Sequence, residues 1–132
     1  MVVDIDYRSR VPLYLQIVTS VERLAASGVY PPDMQLPSVR AWAVELSLNP
    51  NTVARALSEL EARGVVYTVP GKGSFIAPDT GQLRRQAQQQ LLRRLAALAR
   101  EAQSIGLPAA QWQELTAGAW DQAQAAARGE HL

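Results

Sequence analysis

Through the N-terminal half of the chain, apolar residues recur at helical spacing in three blocks parted by proline, glycine and asparagine. In the first block Leu13, Ile17, Val21 and Leu24 stand at intervals of four, four and three. They form a single stripe on a helix that opens at Pro12 and stops at Gly28. Pro31-Pro32-Asp33 then makes a rigid turn. A short second helix follows Pro37, with Ser38 at its start and Val39, Trp42, Ala43 and Leu46 turned inward. The third helix is the best delimited. Asn49 can accept the free backbone N–H groups of a first turn, and Pro50 suits the first helical position, where its missing N–H costs nothing. Val53, Leu57 and Leu60 supply the inward stripe with Ala56 beside it, and Arg63-Gly64 closes the helix.

Past Gly64 the helical period gives way to an extended one. Val65-Val66-Tyr67-Thr68-Val69 is a β-branched run, Pro70-Gly71-Lys72-Gly73 a turn, and Ser74-Phe75-Ile76-Ala77 the returning strand. An isolated hairpin is marginal in water, so this one must pack on the helices. Three helices and a hairpin in this order make a winged helix-turn-helix. The predicted class is mainly α with a small β-hairpin.

Pro78-Asp79-Thr80-Gly81 marks a boundary between residues 1–78 and 79–132. Beyond it Leu83, Ala87, Leu91, Leu95, Leu98, Ala102 and Ile105 trace a seam that approaches a heptad pattern from Leu91 onward. Gly106 and Pro108 separate it from a last helix carrying Trp112, Leu115, Ala119 and Ala123, with residues 124–132 fraying. Trp120 widens the stripe as core; lining a small-molecule cleft is the alternative. Two helices alone have little core of their own. Pairing across a two-fold axis through Leu91, Leu95, Leu98, Ala102, Trp112 and Leu115 completes their burial; packing onto the chain's own winged domain is the alternative.

Composition narrows the class without naming a partner. Hydrophobic residues make up 48% of 132 positions, enough for a core, and cysteine is absent, so disulfides and thiolate metal sites are excluded. Apolar runs fall short of a membrane span, and the acids in Met1-Val2-Val3-Asp4-Ile5-Asp6 do not suit a secretory leader. A soluble cytoplasmic protein without a membrane partner is expected. The formal net charge is +1, and residues 1–78 carry seven basic and seven acidic side chains. Bulk electrostatics therefore do not point to nucleic acid; only the placement of a few cations can.

Those cations sit where a reading head needs them. With its apolar stripe inward, the third helix turns Asn51, Thr52, Arg55 and Ser58 outward, mostly from the N-terminal half that a recognition helix inserts toward base edges. Arginine can grip guanine and asparagine adenine with two hydrogen bonds, each pairing worth about 1–3 kcal/mol of discrimination. Lys72 between Gly71 and Gly73 gives a slim cationic tip able to approach a phosphate or minor groove; an ordinary solvated turn is the bland alternative. It is no nucleotide-binding P-loop, since the glycine spacing and the following helix are missing. Arg40 in the first turn of the second helix opposes the helix dipole, which favours a DNA contact over an internal partner such as Glu45.

Residues 11–77 resemble the GntR family of bacterial transcription regulators. The resemblance rests on Val11-Pro12-Leu13-Tyr14-Leu15-Gln16-Ile17, Leu36 to Arg40, Asn49 to Ala56, Leu60-Glu61 with Arg63-Gly64, and Gly71 to Phe75. It implies DNA contacts from Arg40, Asn51, Thr52, Arg55, Gly71 and Lys72. With the neighbouring Ser38 and Gly73 these make up the candidate DNA-binding set. The chain departs from the family in its turn, Pro32-Asp33-Met34, and in Trp42, which is bulkier than the usual aliphatic residue. The 54-residue remainder is too short for the larger effector domains of the family and resembles the YtrA-type subfamily, whose members are small dimers.

Together these features lead to a homodimeric repressor-type regulator on a palindromic duplex operator, without cofactor or metal. An enzyme lacks support: the single histidine is His131 beside the C-terminus, and no carboxylates cluster at metal-ligand spacing. An adaptor that binds protein through the same fold is the other alternative. A small-molecule effector stays open, because a two-helix tail offers no obvious pocket.

Overall fold

A computed structural model describes residues 3–129, so His131 and the first two residues lie outside the described residues. The chain divides into two compact units, residues 1–88 and 89–132. In the first unit α1 (Leu13–Ser27), α2 (Val39–Leu46) and α3 (Pro50–Ala62) precede a hairpin of β1 (Val66–Val69) and β2 (Gly73–Ile76). The starts of α2 and α3 and the stops of α1 and α3 fall on the expected residues. Gly28 and Gly64 take left-handed φ values of 83° and 75°. Ser38 Oγ accepts from Ala41 N at 3.1 Å, and Asn49 Oδ1 accepts from Asn51 N at 2.8 Å.

The core of this unit joins Ile17, Val18 and Val21 of α1 to Trp42, Ala43 and Leu46 of α2 and to Val53, Ala56 and Leu60 of α3. Val65, Val66 and Ile76 close it from the hairpin side. The inward stripe of α3 is thus centred on Ala56, while Leu57, expected inside, is half-buried. Trp42 is the largest fully buried side chain, so the core has formed around it, but its indole Nε1 has no hydrogen-bond partner among the described residues. An unmade bond of this kind costs about 1–3 kcal/mol, which the ring's apolar burial must offset.

The hairpin pairs antiparallel, Val66 opposite Ile76 and Val69 opposite Gly73, with Tyr67 stacked on Phe75 at a centroid separation of 5.5 Å. A third extended segment, unforeseen in the sequence, runs along β2. Asp33 N and Leu36 N donate to the carbonyls of Ile76 and Ser74, and Ile76 N donates to Met34 O, all at 2.9 Å. The wing is therefore tied into the domain along its inner edge, which answers the marginal stability of a lone hairpin.

α4 (Gly81–Ser104) begins in the first unit, where Leu83 packs against the core. The compact division falls at Gln88, past the sequence boundary at Pro78, because this opening turn is anchored there. In the second unit α4 is followed by α5 (Ala109–Ala127), whose regular helix includes residues 124–127 that were expected to fray. Ala102 is buried and Trp112 half-buried, whereas Leu91, Leu95, Leu98, Leu115 and Trp120 are exposed. Trp120 is 66% exposed rather than core. An open apolar groove of about 690 Å³ lies here, lined by Leu95, Leu98, Trp112, Leu115, Ala119 and Trp120 among others. The sequence offered no obvious pocket beyond the alternative of a cleft at Trp120; this groove arises because two helices leave their shared apolar face without a third wall.

Candidate nucleic-acid interface

Two capped helix starts and the hairpin tip carry the expected side chains. At the start of α2, the Ser38 hydroxyl uses an acceptor lone pair on Ala41 N and keeps its own proton for donation. Arg40 is exposed and makes no ion pair with Glu45 or any other acid among the described residues. At the start of α3, Asn51 is exposed, Thr52 half-buried, and both give their backbone N–H to Asn49. Their side chains remain outward, as the placement of Val53, Ala56 and Leu60 requires.

Arg55 has a partner that the sequence pattern does not reveal. Its guanidinium carbon lies 3.9 Å from the centroid of the Tyr14 ring of α1, a cation–π contact. The tyrosine engages the charge through a ring face, while the guanidinium N–H groups that would grip a base lie in the guanidinium plane and remain donors. No local spacing announces this pair, because Tyr14 and Arg55 meet only when α1 packs on α3.

The wing tip is fixed by its own backbone and by one more residue unseen in the sequence. Lys72 N donates to Val69 O at 2.9 Å, closing the turn, and Gln35 Nε2 donates to Lys72 O at 2.8 Å. Gly71 stands at φ 77° and Gly73 at φ 124°. A Cβ on Gly73 would also sit 3.2 Å from Gln35 Nε2, so this position needs glycine for its backbone and for the approach of Gln35. Lys72 is left exposed at the tip. Behind it the Tyr67 phenol donates to Asp33 Oδ1 at 2.8 Å; that hydrogen bond, then burial and the carboxylate charge, pushes its pKa up from 10.0.

Ion pairing spares the candidate cations. Both ion pairs among the described residues belong to Arg63, at 2.9 Å to Glu22 of α1 and to Glu59 one turn back in α3. These carboxylates hold the Arg63 guanidinium above its ordinary range, chiefly through the Glu59 hydrogen bond. The unit thus commits one of its cations and two of its acids to an α1–α3 pin, leaving Arg40 and Lys72 outside any ion pair among the described residues and Arg55 on an uncharged ring. No group of three or more metal-ligating side chains occurs among the described residues, and no helix there is long and apolar enough to cross a membrane.

Ser38, Arg40, Asn51, Thr52, Arg55 and Lys72, with Gly71 and Gly73, all fall in the first unit. In the second, Leu91, Leu95, Leu98 and Leu115 keep their surface available, Trp112 part of it. Ala102, expected at the interface, is buried within the unit and has almost no surface to offer a second chain.

Residues 13–76 match the family of bacterial regulatory proteins, gntR family. Over 75 residues the chain is 41% identical to the HTH-type transcriptional repressor YtrA of Bacillus subtilis (strain 168), the match covering 57% of this chain and 58% of that protein. The chain thus spans less than two thirds of this curated relative. A transcriptional regulator from Oenococcus oeni has a similar solved structure, with a TM-score of 0.75 and 34% identity over 88% of this chain and 97% of that one. A GntR family transcriptional regulator from Listeria monocytogenes aligns with a TM-score of 0.68 and 28% identity, covering 86% and 98%.

Proposed function

The chain belongs to the gntR family of bacterial regulatory proteins, and from that premise we propose that it is a transcriptional repressor binding a palindromic DNA operator as a homodimer. In this reading α3 enters the major groove with Asn51, Thr52 and Arg55 toward base edges, while Ser38 and Arg40 engage the backbone. The wing tip, Gly71-Lys72-Gly73, meets a phosphate or the minor groove. The observation that carries the reading is the state of the cations: Arg40 and Lys72 are exposed and outside any ion pair among the described residues, and Arg55 rests on a ring that does not neutralise it. Repression follows the name of the Bacillus relative. The cytoplasm, on the nucleoid, is the matching location.

Pairing of two chains is supported by the exposed Leu91, Leu95, Leu98 and Leu115 beside an open apolar groove. A two-fold axis lets one patch cover its own copy. The groove is also where an effector of suitable apolar shape would be sought.

A gel-shift series with duplex from the gene's own upstream region tests the central claim. Specific binding should weaken steeply with salt as phosphate contacts release counterions. Absence of any duplex binding at low salt would overturn it, in favour of a protein-binding adaptor.

A further inference from the structure

The residues before α1 form a built loop rather than a trailing end. Val3 is buried and Ile5 packs on the core, anchoring the segment from behind. Gln16 holds both ends of the loop: its Oε1 accepts from Asp6 N at 2.8 Å, and its Nε2 donates to the carbonyls of Asp6 and Val11 at 3.0 Å each. Inside, Asp6 Oδ1 accepts from Arg8 N at 3.0 Å, Ser9 Oγ accepts from Val11 N at 3.1 Å, and Ser9 N donates to Asp6 O at 3.2 Å. The Tyr7 hydroxyl donates to Leu46 O, the last carbonyl of α2.

Two contacts place this loop. Tyr7 ties it to the turn between α2 and α3, and Tyr14, just beyond its far end, lies under Arg55 of α3. The loop therefore sits beside the N-terminal half of the helix proposed to read DNA. It presents Arg8 and Arg10, both exposed and neither in an ion pair among the described residues. Asp6 lends a carboxylate oxygen to the loop backbone, and Asp4 is exposed earlier in the segment.

We infer that this loop is a third DNA-contacting element, with Arg8 and Arg10 gripping phosphates that flank the groove entered by α3. The inference rests on the DNA-binding reading and extends it. A near-neutral domain gains affinity only from placed cations, and two on a hydrogen-bonded loop bind phosphate with little ordering cost. Such contacts fix the protein on the duplex without reading bases.

The test is salt-dependent binding of the full chain to specific and scrambled duplexes. Arg8→Ala/Arg10→Ala should flatten the slope of log affinity against log salt by about 0.9 for each phosphate no longer neutralised, and by up to about 3.6 for a dimer that releases four. The ratio of specific to scrambled binding and the melting temperature should stay as in wild type. Arg8→Lys/Arg10→Lys should restore most of the slope. An unchanged slope in the alanine variant would assign the loop a structural part only and overturn the inference. Failure of wild type to bind any duplex would overturn the DNA reading and this inference with it. Wild-type binding abolished by Arg55→Ala but untouched by the loop variant would overturn the inference alone.

Discussion

A guanidinium resting on an aromatic ring is partly ordered before any ligand arrives, and this shapes what Arg55 can do. The side chain loses rotamer freedom on folding rather than on binding, so less entropy is lost when its edge meets a base. Tyr14→Ala should weaken specific duplex binding by about 2–5-fold through loss of that support, in line with a cation–π contact of about 0.5–1 kcal/mol at a partly exposed site. Tyr14→Phe keeps the ring and should bind as wild type; equal loss in both variants would mean that the hydroxyl, not the ring, matters. Tyr67 offers a second check at this scale. Its raised pKa means that the folded state favours the protonated phenol donating to Asp33. The associated stabilisation is full below the ordinary value of 10.0 and is lost as pH climbs through the folded pKa. Tyrosinate absorbance should show the Tyr67 phenol ionising above 10.0. Asp33→Asn should move that step down, and Tyr67→Phe should remove it.

The turn between α2 and α3 orients the reading helix, and it is made without the glycine that such turns often carry. Ser47 occupies the left-handed region at φ 54°, its N–H serving the carbonyls of Ala43 and Val44. A non-glycine residue there costs about 1–2 kcal/mol, partly offset because glycine raises the entropy of the unfolded chain. Ser47→Gly should therefore stabilise the protein by about 0.5–1 kcal/mol, read as a higher urea midpoint with an unchanged slope. A lower midpoint would show that the serine side chain contributes more than its backbone conformation costs. This turn also shows what sequence makes legible. Asn49-Pro50 and Gly64 act through backbone groups a few residues away, so the bounds of α3 could be read directly. The strand-like segment at 34–36 could not, because its bonds reach across to β2 and nothing local in Met34-Gln35-Leu36 calls for them. Gln35 at the wing and Tyr14 at Arg55 were invisible for the same reason. Leu57 shows the converse, since a stripe read at helical period locates a face but not its centre.

At the scale of the whole molecule, the leucines of α4 and α5 form an extended exposed apolar surface among the described residues. Leu95 and Leu98 line the apolar groove and are 47% and 53% exposed, although each belongs to a seam whose spacing is that of buried positions. A charge placed there is harmless if the groove faces water and costly if a second copy fills it. Leu95→Glu/Leu98→Glu in the full chain should therefore leave the melting of the winged domain in place while light scattering falls from two chains to one. Operator affinity should then fall on the order of 10²–10⁴-fold, because two linked half-site contacts bind far more tightly than one. Binding to a single half-site should survive, which separates loss of pairing from damage to α3 or the wing. If the double variant still scatters as a dimer, the pairing surface lies elsewhere, and the groove becomes a site for a ligand rather than for a second copy of the chain.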